Sequence, residues 1–310
     1  MTLNILFADR PERWAEYEAP LSVALSDAGL KFDLRTDFAP EEVDYIVFAP
    51  NGPVSDFSPY TRLKAVLSLW AGVETVVGNR TLTVPLTRMV DFGLRQGMIE
   101  WVTGHVLRHH LGMDVHITAA PGEWVPVAPP LARDRRVTIL GMGALGVACG
   151  TALAGLGFPV AGWSRTAKEV PGIETFHGKD GLSAALSRSD ILVLLLPNTP
   201  QTENTLNAST LAMLPRGAVI VNPGRGTLID DDALLAALDS GQVGHATLDV
   251  FRVEPLPASH PFWAHPKVTV TPHIASETRA DSSSEVIAEN IRRNETGETM
   301  LHLVDRDRGY

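Results

Sequence analysis

The sequence predicts an α/β protein built from two doubly wound, parallel-sheet lobes. Three observations lead there. Short apolar runs alternate with helical stretches from end to end, the pattern of βα units. These runs fall into two series, parted by a Pro-rich stretch, Pro121-Gly122-Glu123-Trp124-Val125-Pro126-Val127-Ala128-Pro129-Pro130, that suits neither regular helix nor central strand. A chain of 310 residues, 45% hydrophobic and 20% charged, is also long enough and apolar enough for two cores.

In the first series the predicted strands are Leu3–Ala8, Phe32–Arg35, Tyr45–Ala49, Ala65–Leu69 and Leu82–Val84. Between the first two, Arg13–Ala28 carries Trp14, Tyr17, Leu21, Ala24, Leu25 and Ala28 at helical spacing, and Gly29 supplies the stop. A longer helix, from about Gln96 to Leu111 through Met98, Trp101, Val102, His105, Val106 and His109, leads towards the second series. There the strands are Val137–Leu140, Pro159–Trp163, Ile191–Leu196, Ala218–Asn222, His245–Val250 and Val268–Thr271. Gly157 and Gly241 end helices between them, and Ser282–Arg293 is the expected last helix.

Composition narrows the function classes. Lysine and arginine number 26 against 36 aspartates and glutamates, a formal charge of −10. Nucleic acids and anionic membranes call for a basic face, so neither is an expected partner. A small anion remains compatible, because a few arginines can dominate one cleft. The single cysteine, Cys149, rules out an intrachain disulfide and a four-thiolate metal site. The opening Met1–Asp9 lacks a basic region and reads as a first strand, not a signal peptide. The longest apolar run, Ile191–Leu196, is far too short to span a bilayer. A cytoplasmic protein is expected.

Strand Val137–Leu140 runs straight into Gly141-Met142-Gly143-Ala144-Leu145-Gly146 and then a helix of small apolar residues. A lone G-x-G-x-x-G is weak evidence; between a strand and a helix it is much stronger. Its glycines serve a tight turn, close approach of backbone to a pyrophosphate, and helix–strand contact, while the helix N-terminus offers N–H groups to the phosphates. This marks the second lobe as a Rossmann-type dinucleotide domain. About 20 residues on, an acid would bind the ribose 2′-OH of NAD. Here the segment is Trp163-Ser164-Arg165-Thr166, with no carboxylate. Arg165 can pair with a 2′-phosphate, and Ser164 and Thr166 can donate to it. A charge-assisted bond contributes roughly 1.5–3 kcal/mol, or about 10- to 100-fold in affinity. NADPH is therefore expected in preference to NADH.

Three polar residues follow later strands, at the carboxyl ends where ligands bind in open α/β sheets. Arg225 lies in Asn222-Pro223-Gly224-Arg225-Gly226, Glu254 in Val250-Phe251-Arg252-Val253-Glu254-Pro255, and His273 in Thr271-Pro272-His273-Ile274-Ala275. With Leu195-Leu196-Pro197-Asn198-Thr199-Pro200 upstream, these motifs closely resemble those of the D-isomer-specific 2-hydroxyacid dehydrogenases. Within that family, Trp163–Thr166 and the ending Val304–Tyr310 look most like the bacterial glyoxylate/hydroxypyruvate reductase A group. The resemblance covers nearly the whole chain.

What the resemblance implies is specific. Arg225, Glu254 and His273 take the catalytic roles, with His273 as general acid/base. Gly72 and Val73, in Trp70-Ala71-Gly72-Val73-Glu74, hold the substrate carboxylate through backbone N–H groups, together with Arg225. Asp249 meets the nicotinamide carboxamide, and Leu196, Pro197 and Thr202 complete the cofactor contacts. The substrate lobe, flavodoxin-like, comprises residues 1–97 and 281–310. The NADP-binding lobe comprises residues 98–280, with a dimerisation helix at 98–112 and a cleft between the lobes. A homodimer and a small anionic 2-oxo acid substrate are expected, such as glyoxylate or hydroxypyruvate. Pro223-Gly224 and Trp70 depart from the usual family residues. Trp70, Arg88, Met89 and Trp101 are possible pocket residues, with packing an equal alternative.

Two other readings compete. A bulkier 2-oxo acid would keep the reaction class. A non-catalytic NADP(H)-sensing protein would keep only the fold, since fold alone does not settle function. The remaining histidines carry less. His105 and His109 stand four apart, a spacing that can bind metal, but no third ligand is evident in the sequence. A dimer surface or solvated face is expected for them, and no metal. His260 and His265 are expected to be structural, and Cys149 to be buried packing.

Overall fold

The computed structural model describes residues 2–309. In chain order the strands are β1 (Leu3–Ala8), β2 (Phe32–Arg35), β3 (Tyr45–Phe48), β4 (Ala65–Ser68), β5 (Leu86–Thr87), β6 (Val137–Leu140), β7 (Val160–Ser164), β8 (Glu174–His177), β9 (Ile191–Leu194), β10 (Ala218–Asn222), β11 (Val243–Leu248) and β12 (Val268–Val270). The α-helices are α1 (Trp14–Asp27), α2 (Phe92–His110), α3 (Met113–Ile117), α4 (Ala144–Gly155), α5 (Gly178–Ser187), α6 (Ala208–Leu211), α7 (Asp231–Asp239) and α8 (Ala280–Thr296). The chain divides into two units, Met1–Leu94 with Glu277–Tyr310, and Arg95–Ser276. Each carries its own parallel sheet, so the predicted fold class is the observed one.

In the first unit the strand order is β2-β1-β3-β4-β5, all parallel. Strands β3 and β4, Tyr-Ile-Val-Phe and Ala-Val-Leu-Ser, are buried throughout, as expected of parallel strands covered on both faces. Tyr17, Leu21 and Leu25 of α1 pack with Phe7 of β1 and with Ile287, Ala288 and Ile291 of α8. That core explains why the last helix returns to a sheet formed by the first third of the chain. A polar contact adds to it: the Tyr45 hydroxyl donates to Glu295 Oε1 at 2.5 Å, and Lys64 Nζ reaches the same oxygen at 2.6 Å.

The second unit has the order β12-β11-β10-β9-β6-β7-β8, again parallel. Alternate residues of its central strands face opposite cores. Ile191 and Val193 join Val137, Ile139 and Val221 on one side, while Leu192 and Leu194 join Leu140, Ile220 and Leu248 on the other. Strand order reverses at β6, which has β9 on one side and β7 on the other. In open α/β sheets such a switch point leaves a crevice at the strands' carboxyl ends, and ligands bind there.

Several boundaries differ from expectation, each for a local reason. Leu82–Val84 is not a strand; its apolar–polar–apolar alternation imitates one. The sheet is joined beyond Pro85, whose carbonyl accepts from Val66 N, so that Leu86 and Thr87 pair with Val66 and Leu67. The long helix begins at Phe92, not Gln96. The buried Asp91 carboxylate accepts from Gly93 N at 3.1 Å and Leu94 N at 3.2 Å, an N-terminal cap that starts the helix despite its glycines. β11 ends at Leu248, two residues earlier than expected. The edge strand β8 was not expected at all; Glu-Thr-Phe-His is half exposed and has no run of apolar residues. The last helix is longer at both ends and stops at Gly297, which adopts a left-handed φ of 76°. Among the described residues no helix is long and apolar enough to cross a membrane.

Candidate active site

The phosphate loop follows from the backbone. Gly141, directly after β6, has φ +113°, and a side chain there would strike the Leu195 carbonyl oxygen at 2.4 Å. Gly143 precedes the first residue of α4, and the space where its Cβ would lie holds no atom within 4 Å. That combination, a forced turn and an open cradle at a helix N-terminus, fits a dinucleotide pyrophosphate. Ala144 and Leu145 form the first turn of α4, and Gly146 is buried behind them.

At the end of β7, Trp163 Nε1 donates to the Gly178 carbonyl at 2.8 Å, pinning the segment. The Ser164 hydroxyl donates to the Thr166 carbonyl at 2.8 Å, and Arg165 is carried between them. One cation escaped the sequence reading. Lys168 Nζ donates to the Met142 carbonyl, inside the phosphate loop, at 2.6 Å. It lies two residues beyond the segment inspected for a ribose contact, and only the folded loop brings it back. Leu196 is buried, and the Thr202 hydroxyl donates to the Pro197 carbonyl at 2.6 Å, closing that turn.

Arg225, Glu254 and His273 leave the adjacent strands β10, β11 and β12 at one edge. His273 Nδ1 lies 2.7 Å from Glu254 Oε2, and Glu254 Oε1 accepts from Phe251 N at 2.8 Å. His273 has φ 54°, a left-handed conformation uncommon outside glycine and often found at functional sites. It is held there by its own N–H, which donates to the Asp249 carbonyl at 2.8 Å. Asp249 is fully buried. Its Oδ1 accepts from the Thr271 hydroxyl at 2.5 Å and Ile274 N at 2.9 Å, and its Oδ2 from Ala275 N at 2.8 Å. This carboxylate therefore clamps the histidine loop, a role the sequence did not disclose.

The arginine loop is built with similar economy. Asn222 is buried at the end of β10; its Oδ1 accepts from Gly224 N at 3.1 Å, and its Nδ2 donates to the Arg225 carbonyl at 2.9 Å. At Gly226 a Cβ would sit 2.0 Å from the Phe251 carbonyl carbon, so only glycine lets this loop touch the one bearing Glu254. Arg252 Nη2 donates to the Ile229 carbonyl at 2.7 Å and also bonds Asn204 Oδ1, tying the glutamate loop to the β10 side.

Electrostatics follow from these contacts. The hydrogen bond and charge of Glu254 raise the His273 pKa, against opposing burial and the Arg225 charge. Burial pushes Glu254 upward, but hydrogen bonds from His273 and Phe251 N and the charges of His273 and Arg225 carry it below its ordinary value. The pair is thus biased toward imidazolium–carboxylate, with His273 about half exposed. An exposed, protonated imidazole fixed by a carboxylate can give a proton to a substrate oxygen.

In the first unit, Val73 is buried and its carbonyl accepts from Val76 N and Val77 N. Trp70 beside it is half exposed, with its N–H on the Ser68 hydroxyl. Met89 is core. Arg88 is drawn down by burial and pulled back by the Glu74 charge. Trp101 packs against His105 within α2, ring centroids 4.3 Å apart and tilted at 51°.

The remaining histidines divide. His260 and His265 accept backbone N–H bonds from Phe262 and Lys267, as structural residues do. Cys149 is buried, its thiol pushed up to about 12. His109 is not on a solvated face. It packs against His245, ring centroids 4.7 Å apart, because α2 lies along β11 at this point. Asp114 joins His109 and His245 in a group whose nitrogen and oxygen atoms all lie within 4.8 Å of one another, and His105 is not part of it. Burial lowers His109 to about 3 and His245 to about 4.

A phosphate-binding turn at the switch point and an arginine, a glutamate and a histidine along the same sheet edge define a dinucleotide-dependent oxidoreductase. Comparisons with known proteins agree. Residues 106–275 match the model of the D-isomer specific 2-hydroxyacid dehydrogenase NAD binding domain. Glyoxylate/hydroxypyruvate reductase A from Serratia proteamaculans is 38% identical over 317 residues, covering 99% of this chain and all of that protein. Among solved structures, a D-isomer specific 2-hydroxyacid dehydrogenase from Xanthobacter autotrophicus Py2, in complex with NADPH and MES, has a TM-score of 0.93 at 40% identity, with 100% of both chains covered. The NADPH-dependent glyoxylate/hydroxypyruvate reductase of Sinorhizobium meliloti, in complex with NADP and sulfate, gives 0.85 at 35% identity, also with full coverage of both. The chain belongs to the D-isomer specific 2-hydroxyacid dehydrogenase family.

Proposed function

We propose that this protein reduces small 2-oxo acids with NADPH, glyoxylate to glycolate and hydroxypyruvate to D-glycerate. The observation that carries the reading is the 2.7 Å contact between His273 and Glu254 on the sheet edge that also bears Arg225. In the reading, His273 protonates the carbonyl oxygen as charge develops there, and takes the proton back in the reverse direction. Glu254 orients the ring and favours its charged form. Arg225 binds the substrate carboxylate with its planar fork and draws electron density from the carbonyl. The backbone N–H groups of Gly72 and Val73 supply further donors for the carboxylate; among the described residues neither has a protein acceptor.

NADPH supplies the hydride when bound. Residues Gly141, Gly143, Ala144, Leu145 and Gly146 would hold its pyrophosphate, and Trp163, Ser164, Arg165 and Thr166 its 2′-phosphoadenosine end. Lys168, bonded to the Met142 carbonyl, adds a cation beside the phosphate loop. Leu196, Pro197 and Thr202 would frame the nicotinamide, whereas Asp249, expected to meet its carboxamide, is fully buried and holds the His273 loop instead. The residues 1–97 with 281–310 are assigned to substrate, and 98–280 to cofactor.

A homodimer is part of the proposal. Past α2 the chain exposes Val115, Ile117, Trp124, Val127 and Leu131, with Trp124 90% and Ile117 71% accessible. Several large apolar side chains left to water within one stretch of chain support association there. Sedimentation of the purified protein should give twice the monomer mass.

The direct test follows absorbance loss of NADPH and of NADH with glyoxylate, hydroxypyruvate, pyruvate and phenylpyruvate. Fast NADPH-linked turnover of glyoxylate and hydroxypyruvate is expected. Arg165→Ala should raise the KM for NADPH by about 10- to 100-fold and leave that for NADH nearly unchanged. Activity confined to phenylpyruvate would move the substrate class to bulkier acids. NADPH binding without turnover of any of the four would replace the enzyme reading with a sensor.

A further inference from the structure

At the amino-terminal half of β11, three side chains from three elements converge on a point that the proposed reduction does not use. Helix α2 brings His109. The chain then turns through Gly112, in the left-handed region at φ 64°, and α3 brings Asp114 back alongside. Strand β11 contributes His245. We propose that His109, Asp114 and His245 form a binding site for a first-row divalent metal ion of the zinc class.

The donor set is two imidazole nitrogens and a carboxylate oxygen. This combination favours zinc, cobalt, nickel or copper, whereas magnesium and calcium take oxygen ligands. Each ring already has the outer partner that a ligating histidine normally has. The Thr247 hydroxyl is 2.8 Å from His109 Nε2, and the Thr269 hydroxyl 2.9 Å from His245 Nε2. Those contacts hold both rings in place beside Asp114.

Asp114 Oδ1 accepts from Arg108 Nε at 2.6 Å, and its Oδ2 has no protein donor among the described residues. The ligand atoms lie within 4.8 Å of one another. A tetrahedral ion with bonds of about 2.0–2.2 Å wants donors on the order of 3.3 Å apart, so the side chains would close by up to about 1.5 Å on binding. The group is half-buried, so water can reach it. Arg108 opposes the ion, because it shares Asp114 and adds a positive charge. Removing it therefore gives a signature that a merely structural cluster would lack.

The test uses the full chain without a polyhistidine tag, stripped of metal and titrated with Co²⁺. Equilibrium dialysis should find one ion per chain, and visible absorption should show the bands of a four- or five-coordinate ion, displaced by Zn²⁺. His109→Gln, His245→Gln and Asp114→Asn should each weaken binding by about 10-fold or more. Arg108→Gln should tighten it. Zinc should raise the Tm of the parent protein and not that of the histidine variants. Circular dichroism identifies any variant that fails to fold, and the other two then carry the comparison. Absence of saturable Co²⁺ binding, equal affinity in the folded variants, or equal preference for Mg²⁺ would each overturn the site.

Discussion

Two histidine pairs in one sheet-bearing unit have opposite electrostatic fates. His273 meets Glu254 directly at 2.7 Å, in an exposed loop, and its pKa rises. His109 meets His245 in a sheltered pocket, and both fall, to about 3 and about 4. A carboxylate is close in each case. The difference is who holds it: Glu254 gives one oxygen to His273, whereas Asp114 gives an oxygen to Arg108. At His109 desolvation then outweighs the opposing Asp114 charge, while at His273 the hydrogen bond to Glu254 outweighs desolvation. One environment favours the protonated ring, and the other disfavours it.

The largest expected effect comes from removing the donor. His273→Gln should lower kcat by about 10²- to 10⁴-fold, the usual contribution of a positioned acid, with the Kd for NADPH nearly unchanged. Equal losses in turnover and cofactor binding would deprive His273 of its place in the chemistry. Glu254→Gln should do less, about 10- to 100-fold, matching one charge-assisted hydrogen bond. Its sharper signature lies in pH. Reduction requires imidazolium, so activity falls as pH rises through the His273 pKa. Without the Glu254 charge that fall should move to lower pH, and a pH–rate profile that stays in place would mean that Glu254 does not set the proton affinity of His273.

How far these features were legible in the sequence depends on chain distance. The phosphate loop could be read because β6, the turn and α4 are contiguous, and the glycines mark the conformations the backbone must take. Arg225, Glu254 and His273 stood out because each closely follows an apolar run. The clamp by Asp249 on the His273 loop was invisible, since it spans 22 to 26 residues and depends on β11 and β12 pairing in register. Lys168 and the His109–Asp114–His245 group were hidden for the same reason: nothing local announces that β11 brings His245 under α2. At the edges, β5 and β8 are short and half supported by neighbours, so alternation alone misplaced the one and missed the other.

The smallest effect separates the two pairs through stability alone. The unfolded chain protonates His109 and His245 near the ordinary 6.5, whereas the folded chain resists down to about 3 and about 4. Below pH 6.5 the unfolded state therefore binds more protons, and the pair costs stability as pH falls through that window. His273 works in the other direction: its raised pKa contributes stability below the unfolded value, which is lost as pH rises through the folded one. His109→Gln with His245→Gln should thus narrow the drop in Tm between pH 7 and pH 5, measured by calorimetry with chelator present. For a chain with units of this size, each kcal/mol recovered would show as roughly 2–4 °C. His273→Gln should leave that acid-side drop unrelieved. If the double variant kept the full drop while folding normally, protonation of the two imidazoles would not be suppressed in the native protein, and the contrast between the two pairs would collapse.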